Sequence, residues 1–228
     1  MIQDRIRREF NQWAESGRGR GLEKGHWETT RQLVELMNVD EYDNVMDLGC
    51  GVGWASRVLA QKASRGIVLG IDLSDRTIVQ ARKGYRNPHN ALFLVADASG
   101  IPCSDAFFDS LLSVESIYYY PGLDLAFHEV HRILKPGGKA FFLISYYKEN
   151  PYGHEWAKYI DIPVHLLGAK DYIAVLKNSG FTTATHRRIS DSSPLPEDWT
   201  PTHWFPTRQD HMKFRSEGAL LLTAEKEM

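Results

Sequence analysis

The sequence predicts an α/β protein with a mostly parallel sheet and helices on both faces. Three observations point there. Five apolar runs, Val45–Leu48, Ile67–Ile71, Leu92–Val95, Ser110–Val114 and Ala140–Ser145, show little alternation, as strands buried on both faces do. Helix-length segments separate them, which is the signature of right-handed crossovers between parallel strands. A turn with glycines at alternate positions, Gly49, Gly51 and Gly53, follows the first run, the place where such sheets bind nucleotides.

Each element has a local reason. A helix over Trp54–Ala63 follows the glycine turn. A second, Asp75–Tyr85, follows Ser74, whose hydroxyl suits the N-cap position. A third, Leu123–Leu134, stops at Lys135-Pro136-Gly137-Gly138, a strong breaker. Gly168–Ser179 is another helix, with Gly180 just past its end, where a left-handed residue closes the last turn. Phe181–Arg188 and Ala219–Glu225 read as two last strands. Residues 1–38 read as two helices joined by SGRGRGLEKG, a basic, glycine-rich hinge. Residues 148–165, KENPYGHEWAKYIDIPVH, insert an aromatic segment after the fifth strand. Residues 191–207 contain SPLPEDWTPTHWFPT, with four prolines and two tryptophans. A loop that long and aromatic reads as a lid or binding loop rather than a connector. The expectation is a single domain over 1–228, with 1–38 as a helical cover and 148–165 and 191–207 as lid-like insertions.

Composition bounds the partners. The 228 residues are 43% hydrophobic and 25% charged, with a net charge of −2, so no global field draws in nucleic acid or an anionic membrane. The two cysteines, Cys50 and Cys103, are too few for a disulfide framework. The N-terminal MIQDRIRREF is charged throughout and is not a signal peptide. No apolar run approaches the roughly 20 residues that span a bilayer. The expectation is a cytoplasmic protein with no membrane partner, with nucleic acid disfavoured and the oligomeric state open.

The glycine turn separates two cofactor chemistries. A dinucleotide fingerprint, G-x-G-x-x-G, counted from Gly49 puts its third small residue at Trp54, where the helix must approach the strand closely. Asp47, at the strand end, would repel a pyrophosphate. A cofactor with a positive centre is attracted instead. S-adenosylmethionine (SAM) has a sulfonium, an ammonium and no phosphate.

Asp47-Leu48-Gly49-Cys50-Gly51-Val52-Gly53 resembles the first motif of the Class I SAM-dependent methyltransferases, D/E-x-G-x-G-x-G. Further landmarks follow in order: Gly70-Ile71-Asp72-Leu73-Ser74, Val95-Ala96-Asp97-Ala98, Phe108-Asp109-Ser110 and Arg132-Ile133-Leu134-Lys135-Pro136-Gly137-Gly138. The likeness covers about residues 40–146. It implies a seven-stranded sheet in order 3-2-1-4-5-7-6 with strand 7 antiparallel. It implies SAM as cofactor, with S-adenosylhomocysteine as product, held by Asp47, Gly49, Cys50, Gly51, Gly53, Trp54, Asp72, Leu73, Asp97, Ala98 and Ser113. In the family, the acid at Asp72 bonds both ribose hydroxyls, the acid at Asp97 accepts the adenine amino hydrogens, and the Ala98 N–H meets the ring. One of Arg18, Arg20 or Lys24 is a candidate for the SAM carboxylate. The branch that it looks most like is the ubiquinone/menaquinone-type and small-metabolite group.

The reaction that this implies is methyl transfer to an N, O, S or C atom of a small molecule. Alignment and exclusion of water dominate such a displacement, and a base is needed only when the acceptor must lose a proton. The candidates are Glu115, Tyr119, His26 and His154. Glu115 lies in Val114-Glu115-Ser116-Ile117-Tyr118-Tyr119-Tyr120, where the family places acceptor contacts. His154, Trp156 and His165 follow the fifth strand, at the expected pocket mouth. His128 and His131 lack zincin spacing and read as helix-surface residues. The alternatives are an RNA or protein methyltransferase using the arginine-glycine hinge, a NAD-dependent oxidoreductase, and a SAM-binding module without catalysis.

Overall fold

The structure is a computed structural model, and it describes residues 2–84 and 88–228, the side-chain surroundings of 19 and 20 aside. In chain order, α1 (Ile2–Glu15) and α2 (Arg18–Met37) precede β1 (Val45–Leu48), α3 (Trp54–Lys62), β2 (Val68–Asp72), α4 (Asp75–Arg82), β3 (Ala91–Val95) and β4 (Phe108–Val114). Then come α5 (Leu123–Ile133), β5 (Leu134–Ile144), α6 (Ala169–Asn178), β6 (Thr183–Ile189), α7 (Arg208–Glu217) and β7 (Ala219–Glu225). The seven strands form one sheet in the order β3-β2-β1-β4-β5-β7-β6. β7 runs antiparallel to both neighbours, and the remaining pairs are parallel. This is the expected topology.

Side-chain alternation makes two cores from one sheet. Along β5, Ala140, Phe142 and Ile144 pack with α5 and α6, through Phe127, Val130, Tyr172 and Leu176. Phe141 and Leu143 face the other way, with Leu33 and Val34 of α2 and Leu59 of α3. β1, buried along its whole length, is the middle strand of the parallel part. Its register places Asp47 beside Gly70 of β2 and Leu112 of β4. The chain leaves β1 towards β2 on one side and β4 lies on the other, so the carboxyl ends of these strands open a crevice at the point where the strand order reverses.

Four elements differ from the sequence expectation. The glycine hinge is helical: only Ser16 and Gly17 form the turn, with Gly17 at φ +75°, and α2 runs through the remaining glycines. The buried stripe Thr30, Leu33, Val34 and Met37 anchors the helix, and this outweighs the roughly 1 kcal/mol that each helical glycine costs. The helix expected over Asp75–Tyr85 ends at Arg82, and Tyr85 lies outside the described residues. β5 begins at Leu134 and carries the Lys135–Gly138 breaker as an irregularity, its register jumping between Phe108–Leu134 and Ser110–Lys139. α7 was missed because it has no fully buried residue and hence no apolar period. Its signal was the cap: Thr207 Oγ1 accepts the Asp210 N–H at 3.0 Å.

No helix among the described residues is long and apolar enough to cross a membrane.

Candidate active site

The turn after β1 is shaped by its glycines. Gly51 has φ +54°, and a Cβ built on it meets nothing within 4 Å; the space it would enter is the cavity that Gly51 lines. The flanking glycines answer to packing. A Cβ at Gly49 would stand 2.6 Å from Ser116 Cβ, and one at Gly53 would stand 2.5 Å from the Phe93 ring. Asp72 ties the turn to the next element. Its Oδ2 accepts the Gly51 N–H at 3.0 Å and its Oδ1 the Ser74 N–H at 2.8 Å. Ser74 then caps α4 by accepting the Thr77 N–H at 3.0 Å, and its hydroxyl donates to Asn11 of α1 at 2.6 Å.

Two acids face this space, Asp47 buried and Asp72 half-buried. Asp47 accepts the Ser56 hydroxyl at 2.5 Å, and burial pushes its carboxyl up to about 6. Burial also raises Asp72. Asp97, half-buried, accepts the N–H and the hydroxyl of Ser99 at 2.9 and 2.8 Å through Oδ1. Cys50 is buried, and burial pushes its thiol far above the usual range, so it stays protonated and unreactive.

The cavity, about 200 Å³, joins Asp47, Gly49, Cys50, Gly51, Trp54, Asp72, Leu73, Asp97 and Ala98 to His26, Glu115 and Tyr119. Its far wall is α1. Ile6, Phe10 and Trp13, spaced four and three residues apart, line it. Phe10 meets Tyr119 edge-on at 4.9 Å, and Trp13 does so at 6.1 Å. The expected helical cover over 1–38 did not say which side chains of α1 reach the cavity, so these residues were missed.

Glu115 is held from three sides. Its backbone is in the left-handed region at φ +53°. Ser145 donates to Oε1 at 2.7 Å and Tyr118 to Oε2 at 2.9 Å. His26 Nδ1 lies 3.3 Å from Oε1. Ser145 and Tyr118 carried no local signal for this role, because strand and turn meet Glu115 only in the fold.

Several expected site residues stand elsewhere. Gly53 caps α3 and does not line the cavity. Ser113 is buried behind it, 2.5 Å from Ser116 Oγ. His154 bonds the Tyr147 carbonyl at 2.9 Å and meets the Tyr146 ring, away from the cavity, because the 148–165 insertion forms a second layer behind the tyrosines. Trp156 packs on Tyr118 at 5.6 Å and on Tyr146 at 4.9 Å, and His165 bonds the Tyr120 carbonyl at 2.8 Å. Residues 191–207 do not line the cavity either. Phe205 stacks on His211 of α7 at 4.2 Å, and Trp204 reaches the cover only at its edge, 5.8 Å from the Arg18 guanidinium. Tyr119 lines the cavity, but burial raises its phenol far above neutrality, so it is no base. Arg18 lies 3.7 Å over the Trp13 ring, Lys24 is exposed, and the Arg20 side chain lies outside the described residues.

Comparison with known proteins agrees with this architecture. A family model described as a methyltransferase domain matches residues 46–142. A chain in the complex between the Haloferax volcanii Trm112 methyltransferase activator and a candidate methyltransferase superposes with a TM-score of 0.88. It is 32% identical, over 96% of this chain and 98% of that one. The chain belongs to the Class I SAM-dependent methyltransferases. Phosphoethanolamine N-methyltransferase 1 of Zea mays is 34% identical over 162 residues, 69% of this chain and 32% of that protein. The fatty-acid O-methyltransferase of Mycolicibacterium smegmatis is 32% identical over 131 residues, 57% of this chain and 47% of that protein. The chain thus spans about a third to a half of the length of the curated relatives it matches.

The residues present fit the family's cofactor, SAM. The open side of Gly51 would receive its methionine part. Asp72, already oriented by two backbone N–H groups, retains lone pairs for ribose hydroxyls. The acids Asp47 and Asp72 suit a cation. Asp72→Ala is expected to weaken SAM binding by about 1.5–3 kcal/mol, the scale of hydrogen bonds to a charged group; calorimetry with wild-type affinity in the variant would refute the ribose role.

Asp47 makes the site pH-sensitive. Its folded pKa of about 6 lies above the ordinary 3.8, so its effect on the ligand-free protein is fully favourable below about 4 and is lost as pH rises to 6. Above that, the ionised group costs of order 3 kcal/mol. A bound cation favours the ionised form, so SAM affinity is expected to fall as pH drops through 6. Asp47→Asn should flatten that dependence and raise the ligand-free Tm at neutral pH by on the order of 5 °C. Titration calorimetry across this range, with melting curves, checks both; a parallel pH dependence in the variant would exclude Asp47.

Proposed function

We propose that the protein transfers the methyl group of SAM to a nucleophilic atom of a small molecule. The observation that supports this reading is the continuity of one cavity from the cofactor acids to a chamber walled by Phe10, Trp13 and Tyr119. α1 and α2 cover it, and Asn11 holds α1 in place by its bonds to Ser74 and Asp75. SAM supplies a methyl carbon made electrophilic by the sulfonium. The chain's own part is to hold the acceptor in line and keep water out, and the aromatic wall favours loss of charge in the transition state. The likeness to the small-metabolite branch, and relatives named for phosphoethanolamine and fatty acid, support a small acceptor.

A second reading concerns a partner. The likeness over nearly the whole chain to a protein found with the Trm112 activator supports pairing with a small activator of that kind. Co-expression with a Trm112 homologue from the same source is expected to give a co-purifying complex with a higher Tm than the chain alone; separate elution at equal Tm would refute it.

Methyl-labelled SAM incubated with the protein and extract from its own source is expected to place label in the small-molecule fraction. Label in RNA or protein instead would overturn the small-acceptor reading.

A further inference from the structure

We propose that His26 is the proton acceptor of this site and that the methyl acceptor is a neutral aromatic hydroxyl compound of the phenol class. The proposal rests on the SAM-dependent reading of the same cavity. His26, on the covering helix α2, lines the chamber and is linked through Nδ1 to Glu115 Oε1 at 3.3 Å. The charge of a carboxylate that close to Nδ1 favours the Nδ1–H tautomer and leaves Nε2 with its lone pair. Nε2 has no hydrogen-bond partner among the described residues. Glu115 itself is already engaged: Ser145, Tyr118 and His26 all address its oxygens. It is therefore a positioning residue. Its left-handed backbone, unusual for a residue with a side chain, is what aims the carboxylate at the cover.

Charge and shape select the acceptor. No Lys or Arg occurs among the described residues that line the cavity, so a carboxylate or phosphate away from the reacting atom, and hence from the sulfonium, finds no counter-ion on the chain. An ammonium acceptor would need a free carboxylate at the chamber, and Glu115 already accepts from Ser145 and Tyr118 and faces His26. A neutral hydroxyl matches the open lone pair of His26 Nε2, and the edge-on rings of Phe10, Trp13 and Tyr119 match a flat apolar body. In the step, the O–H bond breaks and its proton passes to His26 Nε2. The oxygen lone pair forms the new bond to the methyl carbon, and the carbon–sulfur bond breaks with its electron pair on sulfur. The imidazolium then gives the proton to water.

The test uses the full chain, as wild type, His26→Ala and Glu115→Gln. SAM binding is measured by calorimetry, and methylation is followed on phenol, on 4-nitrophenol (ionised near neutral pH without help) and on benzylamine. The expected result is unchanged SAM affinity, loss of phenol methylation in His26→Ala by about 100-fold or more, and retention of 4-nitrophenol methylation within about tenfold. Added imidazole should restore part of the phenol rate, and Glu115→Gln should lower phenol turnover more than that of 4-nitrophenol. Equal losses on both phenols would make His26 structural and overturn the base assignment. SAM binding with methylation of benzylamine only, or of none of the three, would overturn the acceptor class. Absence of SAM binding in the wild type would bring down the cofactor reading beneath both.

Discussion

The Asp72 carboxylate accepts the Gly51 N–H with one oxygen and the Ser74 N–H with the other, and the cofactor side of the site and its cover take their position from that pair of bonds. The first bond fixes the glycine turn after β1. The second fixes the start of α4, whose cap residue Ser74 then bonds Asn11 and so seats the covering helix α1. One half-buried acid thus links the sheet, the cofactor turn and the cover. Its own ionisation is disfavoured by burial and is offset by the two backbone donors, the usual way in which a buried carboxylate is tolerated.

The same balance sets a conflict between stability and binding. Asp47 has one short bond to Ser56 and no basic partner among the described hydrogen bonds. The ligand-free protein therefore carries an acid that burial opposes. A sulfonium bound in the crevice would reverse the sign, because a cation close to a buried carboxylate favours its charged form. Instability of the empty site and affinity of the filled one are two readings of one electrostatic fact.

The acceptor side is organised in layers. Tyr119 faces the cavity with Phe10 and Trp13, while Trp156 of the 148–165 insertion and Tyr146, just after β5, back the tyrosines. His165 clamps that insertion to the Tyr118 and Tyr120 carbonyls. The insertion stiffens the wall rather than forming it, and this is why its histidines and tryptophan stand outside the chamber. In residues 191–207, Trp199 and Phe205 pack against His211 of α7, and Trp204 packs on Tyr159 of the insertion.

By itself, the sequence determined the sheet and the cofactor turn. Buried parallel strands leave continuous apolar runs, and a turn that must approach a ligand leaves glycines at fixed spacing; both are local constraints, readable residue by residue. Gly51 was legible for that reason, and Asp72 through the family likeness of Gly70–Ser74 at the end of the second strand. The helical course of α2 was not, since four glycines argue locally for a hinge and only the packing of Leu33, Val34 and Met37 overrules them. Nor was the set of groups around Glu115. His26, Tyr118 and Ser145 come from a covering helix, a turn and the end of a strand, up to 119 positions apart in the numbering. No local pattern requires them to meet. Only the tertiary structure decided it, by closing α2 over the ends of β4 and β5, where a carboxylate with several lone pairs must find donors once water has been excluded.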